Sequence, residues 1–455
     1  MPRANAILRN MSPMKTSFKL LVSGLLAVNF VLDSAAAETF LFANGRRVGQ
    51  IDKVTCQLEI GGEIVQFVDG KEKTDKVGES HKLIYSEKTL AIAPGGAKSA
   101  RFYHEVDCSR KIGDDGQKLL LPDSRRLIGA DATGQIAALF SPAGPLTQDE
   151  QITIDVLGNS LLLDGLLPDK PVAIGESWKH SDRFIAQMLW LDNVGQCDVQ
   201  STLREVTADV ARFKIAGKAL GMFKGTPSEI EIEGNYRYDR RRNRIDWLGV
   251  LVKEQRKSSP KAEGARVVAR SQVLVIPRES CPELSDSALK NVSFETTPDS
   301  LRTAYQAKHD NWAIAFDRCW NMYHDVADAV EMHLLDQGDI VAQCKISALP
   351  KTDPAKLVSL EAYQRELRAA LEQVKSFEAV VDSTESRTTD DYRILRVEIR
   401  GAASDLPMRW IYYHLADPQG RQAVFAIVVE EKLYDRLAQK DKALVQAFRF
   451  TETRK

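Results

Sequence analysis

At 455 residues, with 44% hydrophobic and 27% charged side chains, the chain has the composition of a folded globular protein and not of a disordered or collagen-like one. Its 62 Lys/Arg and 63 Asp/Glu leave a formal net charge of −1, which offers no electrostatic footprint for nucleic acid. The length exceeds what one hydrophobic core serves, so two or three domains of roughly 150 residues are expected.

The chain opens in the order of a secretory signal. Basic positions Arg3, Arg9, Lys15 and Lys19 precede an apolar run, Leu20 to Leu32, and the small residues Ser34-Ala35-Ala36-Ala37. This order predicts a signal peptide over residues 1–37 with cleavage before Glu38, and so a periplasmic or secreted product. A retained membrane anchor is the alternative, but the run of 13 residues holds Ser23, Gly24 and Asn29. That falls short of the roughly 20 residues needed to span. No later segment is apolar enough to span, so no transmembrane segment is expected after cleavage. The first 37 residues hold four of the 62 Lys/Arg and one of the 63 acids, leaving 58 basic against 62 acidic groups.

All six cysteines, Cys56, Cys108, Cys197, Cys281, Cys319 and Cys344, fall in the exported part, where disulfides persist. Bridges Cys56–Cys108, Cys197–Cys281 and Cys319–Cys344 are one expectation, and unpaired buried thiols are the other. No CxxC and no zinc spacing of Cys and His occurs.

From residue 50 to about 276 the pattern alternates with period two, the mark of strands with one face in a core. Glu229-Ile230-Glu231-Ile232-Glu233 continues past Gly234 to Tyr236 and Tyr238, and Arg240-Arg241-Arg242-Asn243 turns into the next run, Ile245 to Val252. Similar pairs turn at Thr207-Ala208-Asp209 and at Asp131-Ala132-Thr133-Gly134. The expectation is a large antiparallel sheet, curved and open-barrel-like, over residues 38–280. The leucine-rich stretch Ile154 to Leu167, broken by Gly158 and Gly165, reads as a short helix across its open face.

Residues 281–300 read as a linker, with prolines at 277, 282 and 298. From 301 to 455 strands are expected at Trp312 to Tyr323, Ala329 to Leu335 and Asp339 to Ser347, turning at Gln337-Gly338. Asp353-Pro354 then caps a helix carrying Leu360, Tyr363, Leu367, Leu371 and Val374. Four more strands, Phe377 to Asp382, Tyr392 to Arg400, Arg409 to Ala416 and Arg421 to Glu430, precede a last helix over Lys432 to Ala447. Strands and helices in this order predict an α+β fold, an antiparallel sheet with covering helices.

This second half resembles the PsbP-like fold of the photosystem oxygen-evolving subunit and of exported bacterial lipoproteins. The likeness rests on element order and on the phrases Gly338-Asp339-Ile340-Val341-Ala342-Gln343-Cys344 and Gly420-Arg421-Gln422-Ala423-Val424-Phe425. The first half resembles the open β-barrels of bacterial lipoprotein and lipid carriers, which implies a curved sheet around an apolar groove. Leu167-Pro168-Asp169-Lys170-Pro171-Val172-Ala173-Ile174-Gly175-Glu176-Ser177-Trp178 is similar to a Pro, Gly and Trp signature of uncharacterised exported bacterial proteins. Folds so widely reused do not transmit function, and no site residue is carried over.

No catalytic, cofactor-binding or metal-ligating residue is nominated. The histidines at 81, 104, 180, 309, 324, 333 and 414 stand singly, without the four-residue spacing that sets two ligands on one helix face. His104 and Cys108 are an even number of residues apart, which on a regular strand puts both on one face. They would nevertheless sit about 13 Å apart, beyond hydrogen-bond reach. Gly175-Glu176-Ser177 lacks the closing glycine of a nucleophile elbow. Ser258 with Lys261, and Ser287 with Lys290, match Ser-x-x-Lys in loop or linker, where so short a pattern arises by chance. Asp114-Asp115 and Asp390-Asp391 fit turns, and no calcium loop appears. Arg240 to Arg242 with Arg244 reads as a solvated hairpin tip before an anion or polysaccharide site, the nearby aromatics Tyr236, Tyr238 and Trp247 being assigned to a sheet face. The expected function is an exported non-enzymatic binding or scaffolding protein, with an unknown ligand or envelope protein as partner. A hydrophobic-ligand or lipid carrier is one form of it. A hydrolase with a site assembled from distant residues and a structural envelope component are the alternatives.

Overall fold

The computed structural model describes residues 38–452 other than 69–70, 94, 135–136, 260–261, 309 and 327–328. The export segment, His309 and Lys261 therefore lie outside the described residues.

Alternation builds the first sheet: along Thr226–Asp239 every second side chain is buried and those between face out. Strands β1 (Ile51–Val68), β2 (Lys71–Ala93), β3 (Gly96–Ile112), β4 (Asp115–Leu119), β5 (Leu127–Asp131) and β6 (Ala138–Phe140) come first. After a helical crossing follow β7 (Ser177–Lys179), β8 (Asn193–Cys197), β9 (Gln200–Val206), β10 (Val210–Phe223), β11 (Thr226–Asp239), β12 (Arg244–Arg256) and β13 (Gly264–Arg278). They form one sheet in the order β7-β9-β10-β11-β12-β13-β1-β2-β3-β5-β6, with β8 on β10 and β4 on β3. The path has two ends, so among the described residues no barrel closes. Fifteen register pairs from Arg278↔Ile51 to Gly264↔Val65 weld the last strand to the first.

The crossing begins with α1 (Gln148–Ile154), whose start is a capping box of Thr147 and Glu150. The expected helix over Ile154 to Leu167 is not made. The helix ends where that stretch begins, Gly158 takes φ +96°, and the chain winds through turns into a 3-10 turn at Leu163–Leu166. A second helix, α2 (Asp182–Leu189), is capped by Ser181 and was not expected from the sequence. Leu157, Leu161, Leu162, Leu163 and Leu166 are all at most 9% exposed and belong to the core of the sheet's inner face. At about 2 kcal/mol each, their burial is worth on the order of 10 kcal/mol.

This short wound stretch touches strands far apart in the sheet. Ser271 on β13 donates to the Leu157 carbonyl at 2.5 Å and Tyr236 on β11 to that of Leu166 at 2.9 Å. Tyr85 on β2 meets Ser160 at 3.1 Å, and Arg101 on β3 donates to Asn159 at 2.5 Å. Strands β11 and β3 are five spacings apart, about 24 Å if the sheet were flat. The sheet therefore curls around the segment, whose own leucines fill its concave face.

The second sheet contains β16 (Trp320–Val326), β17 (Ala329–Asp336), β18 (Asp339–Leu349), β19 (Phe377–Arg387), β20 (Arg393–Ala403), β21 (Leu406–Ala416) and β22 (Gln422–Glu430), after β14 (Thr303–Gln306) and β15 (Trp312–Phe316). Its antiparallel order is β16-β17-β18-β22-β21-β20-β19. Helix α3 (Leu360–Gln373) buries Tyr363 and Leu371 on Leu395, Val397 and Ile399, covering one face. Its cap is Ser359; Asp353 caps only a 3-10 turn, Pro354–Lys356. The other face packs under Leu437, Leu444 and Phe448. The expected last helix is broken at Ala438 and Gln439, both left-handed. The strand expected over Trp312 to Tyr323 is split at Asp317, after which Trp320 begins the sheet.

The two sheets are tied. Leu146–Thr147 pairs in parallel with Thr303 and Ala304, Gln151 donates to Thr303 at 2.9 Å, and Arg318 to the Leu139 carbonyl at 2.8 Å. Within 281–300, Cys281 and Leu284 are buried, and short helical turns occupy Pro282–Leu284 and Asp286–Leu289.

The three expected disulfides are not formed: all six thiols are free. Cys56 faces Leu83 while Cys108 faces His81, so β2 lies between them and two strand spacings, about 10 Å, keep them apart. A bridge needs Cα atoms within about 7 Å. Strand β17 likewise separates Cys344, opposite Met332, from Cys319, whose carbonyl accepts from Leu335. Cys197 pairs with Ala219 on β10, whereas Cys281 follows β13 on the far side of β11 and β12.

Two outcomes are expected. Protein denatured without reductant should titrate six thiols with Ellman's reagent; a titre near zero would restore the bridges. Gly158→Ala should lose about 2 kcal/mol or more in urea denaturation. Its added Cβ would stand 2.7 Å from Val273 Cγ2, at a φ that alanine resists.

Candidate functional site

Most polar clusters of the molecule are structural once their burial is considered. The deepest centres on Glu87, wholly buried on β2. Its carboxylate accepts from Arg101 Nε at 2.7 Å, Ser160 Oγ at 2.9 Å and Ser99 Oγ at 3.0 Å, and Arg46 Nη1 stands 3.7 Å away. Arg46 also pairs with Asp164 at 2.9 Å and donates to the Ser160 carbonyl at 3.0 Å. Burial works against the charge of Glu87, but Arg101 and Arg46 outweigh it and hold the carboxyl below its usual range. A second network joins Arg396, Glu398, Arg409 and Glu431, with Arg409 bidentate to Glu431 at 2.6 and 2.7 Å.

Three constellations have the composition of a nucleophile and its base. Ser86 Oγ lies 2.8 Å from His104 Nε2, and Arg278 donates to the serine at 2.7 Å. His180 Nε2 lies 2.8 Å from Ser201 Oγ. Both serines are completely buried, so no substrate carbonyl reaches them, and among the described residues no carboxylate bonds either histidine. His81 stands opposite Cys108, but its nitrogens are taken by Glu79 at 2.5 Å and the Thr153 carbonyl at 3.3 Å. Burial pushes the Cys108 thiol up to about 12, away from a thiolate.

His104 and Cys108 are not brought together. Tyr103 pairs with Tyr85 and Glu105 with Ile84, so His104 is the extra residue of a β-bulge. The bulge reverses the alternation: Cys108 joins the concave core, while His104 meets Ser86 and Phe102. Ser177 meets Thr202, Ser258 donates to Glu72, and Ser287 meets Ser285. Asp390 and Asp391 pair with Arg449 and Arg387, and Arg241 and Arg242 with Asp209 and Asp239 at the exposed hairpin tip, whereas Arg244, expected there too, is buried and bonds Asp52 at 2.7 and 2.8 Å. Asp115 opens β4 after the turn at Gly113 and Asp114. Among the described residues no group of three or more His, Cys, Asp or Glu could hold a metal ion.

A recess is left at the junction of the two sheets, a cleft of about 110 Å³. Two glycine turns tie the sheets together, and the first carries Lys224 into the cleft's lining. Lys224 and Gly225 join β10 to β11 with φ of 49° and 74°, and Gln337 and Gly338 join β17 to β18 with 49° and 86°. The tips interlock: a Cβ on Gly225 would come within 2.7 Å of Ile340, and one on Gly338 within 2.8 Å of Met222. Asn193 Nδ2 donates to the Gln337 carbonyl at 2.5 Å, and the Gly225 amide to Asp192 at 2.9 Å. Phe223, Lys224 and Arg256 line one wall, and Tyr323, His324 and His333 the other.

The cleft's groups are partly pre-engaged. The Arg256 guanidinium sits 4.2 Å over the Phe223 ring, its Nε 3.3 Å from Glu254. Tyr323 is bulged out of the β16–β17 register and stacks on His333 at 4.5 Å. Glu263 accepts from Gln66 at 2.5 Å. Lys224 keeps contact with the solvent of the cleft, yet the surrounding protein, and after it Arg256, push its ammonium below the usual lysine range. Single-sequence reading missed this site because its walls come from four separated stretches. The local signal was the pair of turn dipeptides Lys224-Gly225 and Gln337-Gly338.

No protein-family model matches the chain, and no curated protein does. Among solved structures it is similar to the cyanobacterial PsbP protein CyanoP of Synechocystis sp. PCC 6803, over 35% of this chain and 99% of that one, at 10% identity and TM-score 0.27. It is similar to the Saccharomyces cerevisiae Ran-binding protein Mog1p over 33% and 96%, at 10% and 0.26. With lipovitellin the match covers 52% of this chain and 26% of that one, at 10% and 0.33. At such TM-scores none of these likenesses bears on function.

Burial pushes His180 down to about 4. The folded state thus disfavours its proton, so stability should fall as pH drops from the unfolded imidazole range near 6.5 toward 4, by about 3 kcal/mol from this group. Urea denaturation across that range should give a flatter profile for His180→Asn than for the wild type.

Proposed function

We propose that residues 38–455 form an exported binding or scaffolding protein that engages its ligand or partner at the sheet junction and works without a reactive centre. The observation that carries this reading is the occupied concave face. The groove in which a lipid carrier would hold its cargo contains Leu157, Leu161, Leu162, Leu163 and Leu166 of the same chain. The hydrolase alternative is weakened by the full burial of Ser86 and Ser201. The PsbP-like reading of residues 301–455 rests on element order and adds no ligand to the proposal.

Export rests on the basic, apolar and small-residue order of residues 1–37. Among the described residues no helix is long and apolar enough to cross a membrane. In a bacterial host, mature protein recovered outside the cytoplasm should begin at Glu38 by amino-terminal sequencing. Native mass spectrometry of that material should find no co-purified apolar molecule. A lipid-sized adduct would overturn the reading in favour of a carrier.

A further inference from the structure

We infer that the junction cleft binds a small oxyanion, a carboxylate or phosphate group, held between Lys224 and Arg256 with Tyr323 and His324 facing it. This rests on the proposal that the protein binds its ligand at the sheet junction, and it names the chemistry of that ligand.

The cleft presents two cations on one wall. Lys224 reaches that wall from a turn position of left-handed φ, 49°, beside the interlocked Gly225. Among the described residues no carboxylate pairs with it, although Lys73, Lys82 and Lys98 of the same sheet pair with acids on its strands. The surrounding protein first, and Arg256 after it, disfavour the charge on Lys224. The Arg256 Nε is buried and ion-paired with Glu254 at 3.3 Å without forming a hydrogen bond. An oxyanion between the two side chains would relieve the repulsion and accept charge-assisted hydrogen bonds from both.

The acids of the cleft bound the charge the ligand can carry. Glu254 already meets Arg256 and Ser228 at 3.3 and 2.6 Å, and Glu263 is tied to Gln66. Glu331 stands opposite His324 in the strand register, on the far wall. Glu263 is the acid that acts most on Lys224, and it opposes an incoming anion. The opposite wall supplies the Tyr323 hydroxyl and the His324 imidazole, with the Phe223 ring on the near side. A single small anionic group fits this arrangement; a long acyl chain does not fit about 110 Å³.

The test is calorimetric titration of the full mature chain with inorganic phosphate and with malonate at constant ionic strength, with glycerol as the neutral control. Saturable binding of at least one anion is expected, and none of glycerol. Lys224→Gln should weaken it about tenfold or more, and Glu263→Gln should strengthen it. Circular dichroism would establish that each variant is folded, and the opposed signs of the two variants separate a local charge effect from general damage. Stronger binding of phosphate than of malonate points to a phosphate ligand, and the reverse to a carboxylate. Wild type that binds neither anion, or Lys224→Gln that binds as wild type does, overturns the inference. If a neutral molecule then occupies the cleft in native mass spectrometry, the binding reading stands without the anion. If the cleft takes neither, both fall.

Discussion

A carboxylate with no exposure at all, Glu87, holds together three parts of the chain that are far apart in sequence. Arg101 reaches it from the neighbouring strand, Arg46 from the segment ahead of the sheet, and Ser160 from the crossing. A charge so buried is tolerated only when its partners are complete, and removing one side of such a pair costs several kcal/mol. The apolar part of the crossing could slide along the inner face at little cost, because leucine contacts are not directional. The ionic hub fixes where Ser160 and Asp164 sit, and with them the register of the five leucines that cover the concave face.

That covering decides how the molecule presents itself. A long curled sheet has an inner face that must be shielded from water, and a protein can shield it with a ligand or with its own chain. Here the chain does so, which removes the obvious place for a hydrophobic guest. Recessed polar surface then remains where the first sheet meets the second, and two tight turns hold that meeting in place. Gly225 and Gly338 permit it, since each lets a neighbouring side chain approach where a Cβ would stand. The cleft is thus a by-product of how the sheets join, and its charged wall is built from residues at the ends of strands.

Much of the architecture is legible in the pattern of residues. Strict alternation in Thr226–Asp239 and turn chemistry at Gln337-Gly338 both appear in the structure as the sequence implies, because each is a local property of a few neighbouring residues. Local reading fails where tertiary contacts set the conformation. The run Ile154 to Leu167 has leucines enough for a helix, yet the approach of Val273 and Ser271 admits only a glycine turn at Gly158. The bulge at His104 cannot be inferred from alternation, because it is set by the pairing of β2 with β3. The cysteine pairing failed for a related reason: parity and spacing say nothing of which strand lies between two thiols.

The sequence by itself determined the strand-rich composition, the alternating faces, the turn at Gln337-Gly338, and an amino-terminal segment patterned for export. These follow from side-chain period and turn chemistry, which act over a few residues. Only the tertiary structure decided that the concave face is filled, that Ser86 and Ser201 are sealed beside their histidines, and that Lys224 and Arg256 share a cleft with Tyr323 and His324. Each of those depends on which distant strands become neighbours, and that is fixed by burial of the whole core and not by any short stretch of chain.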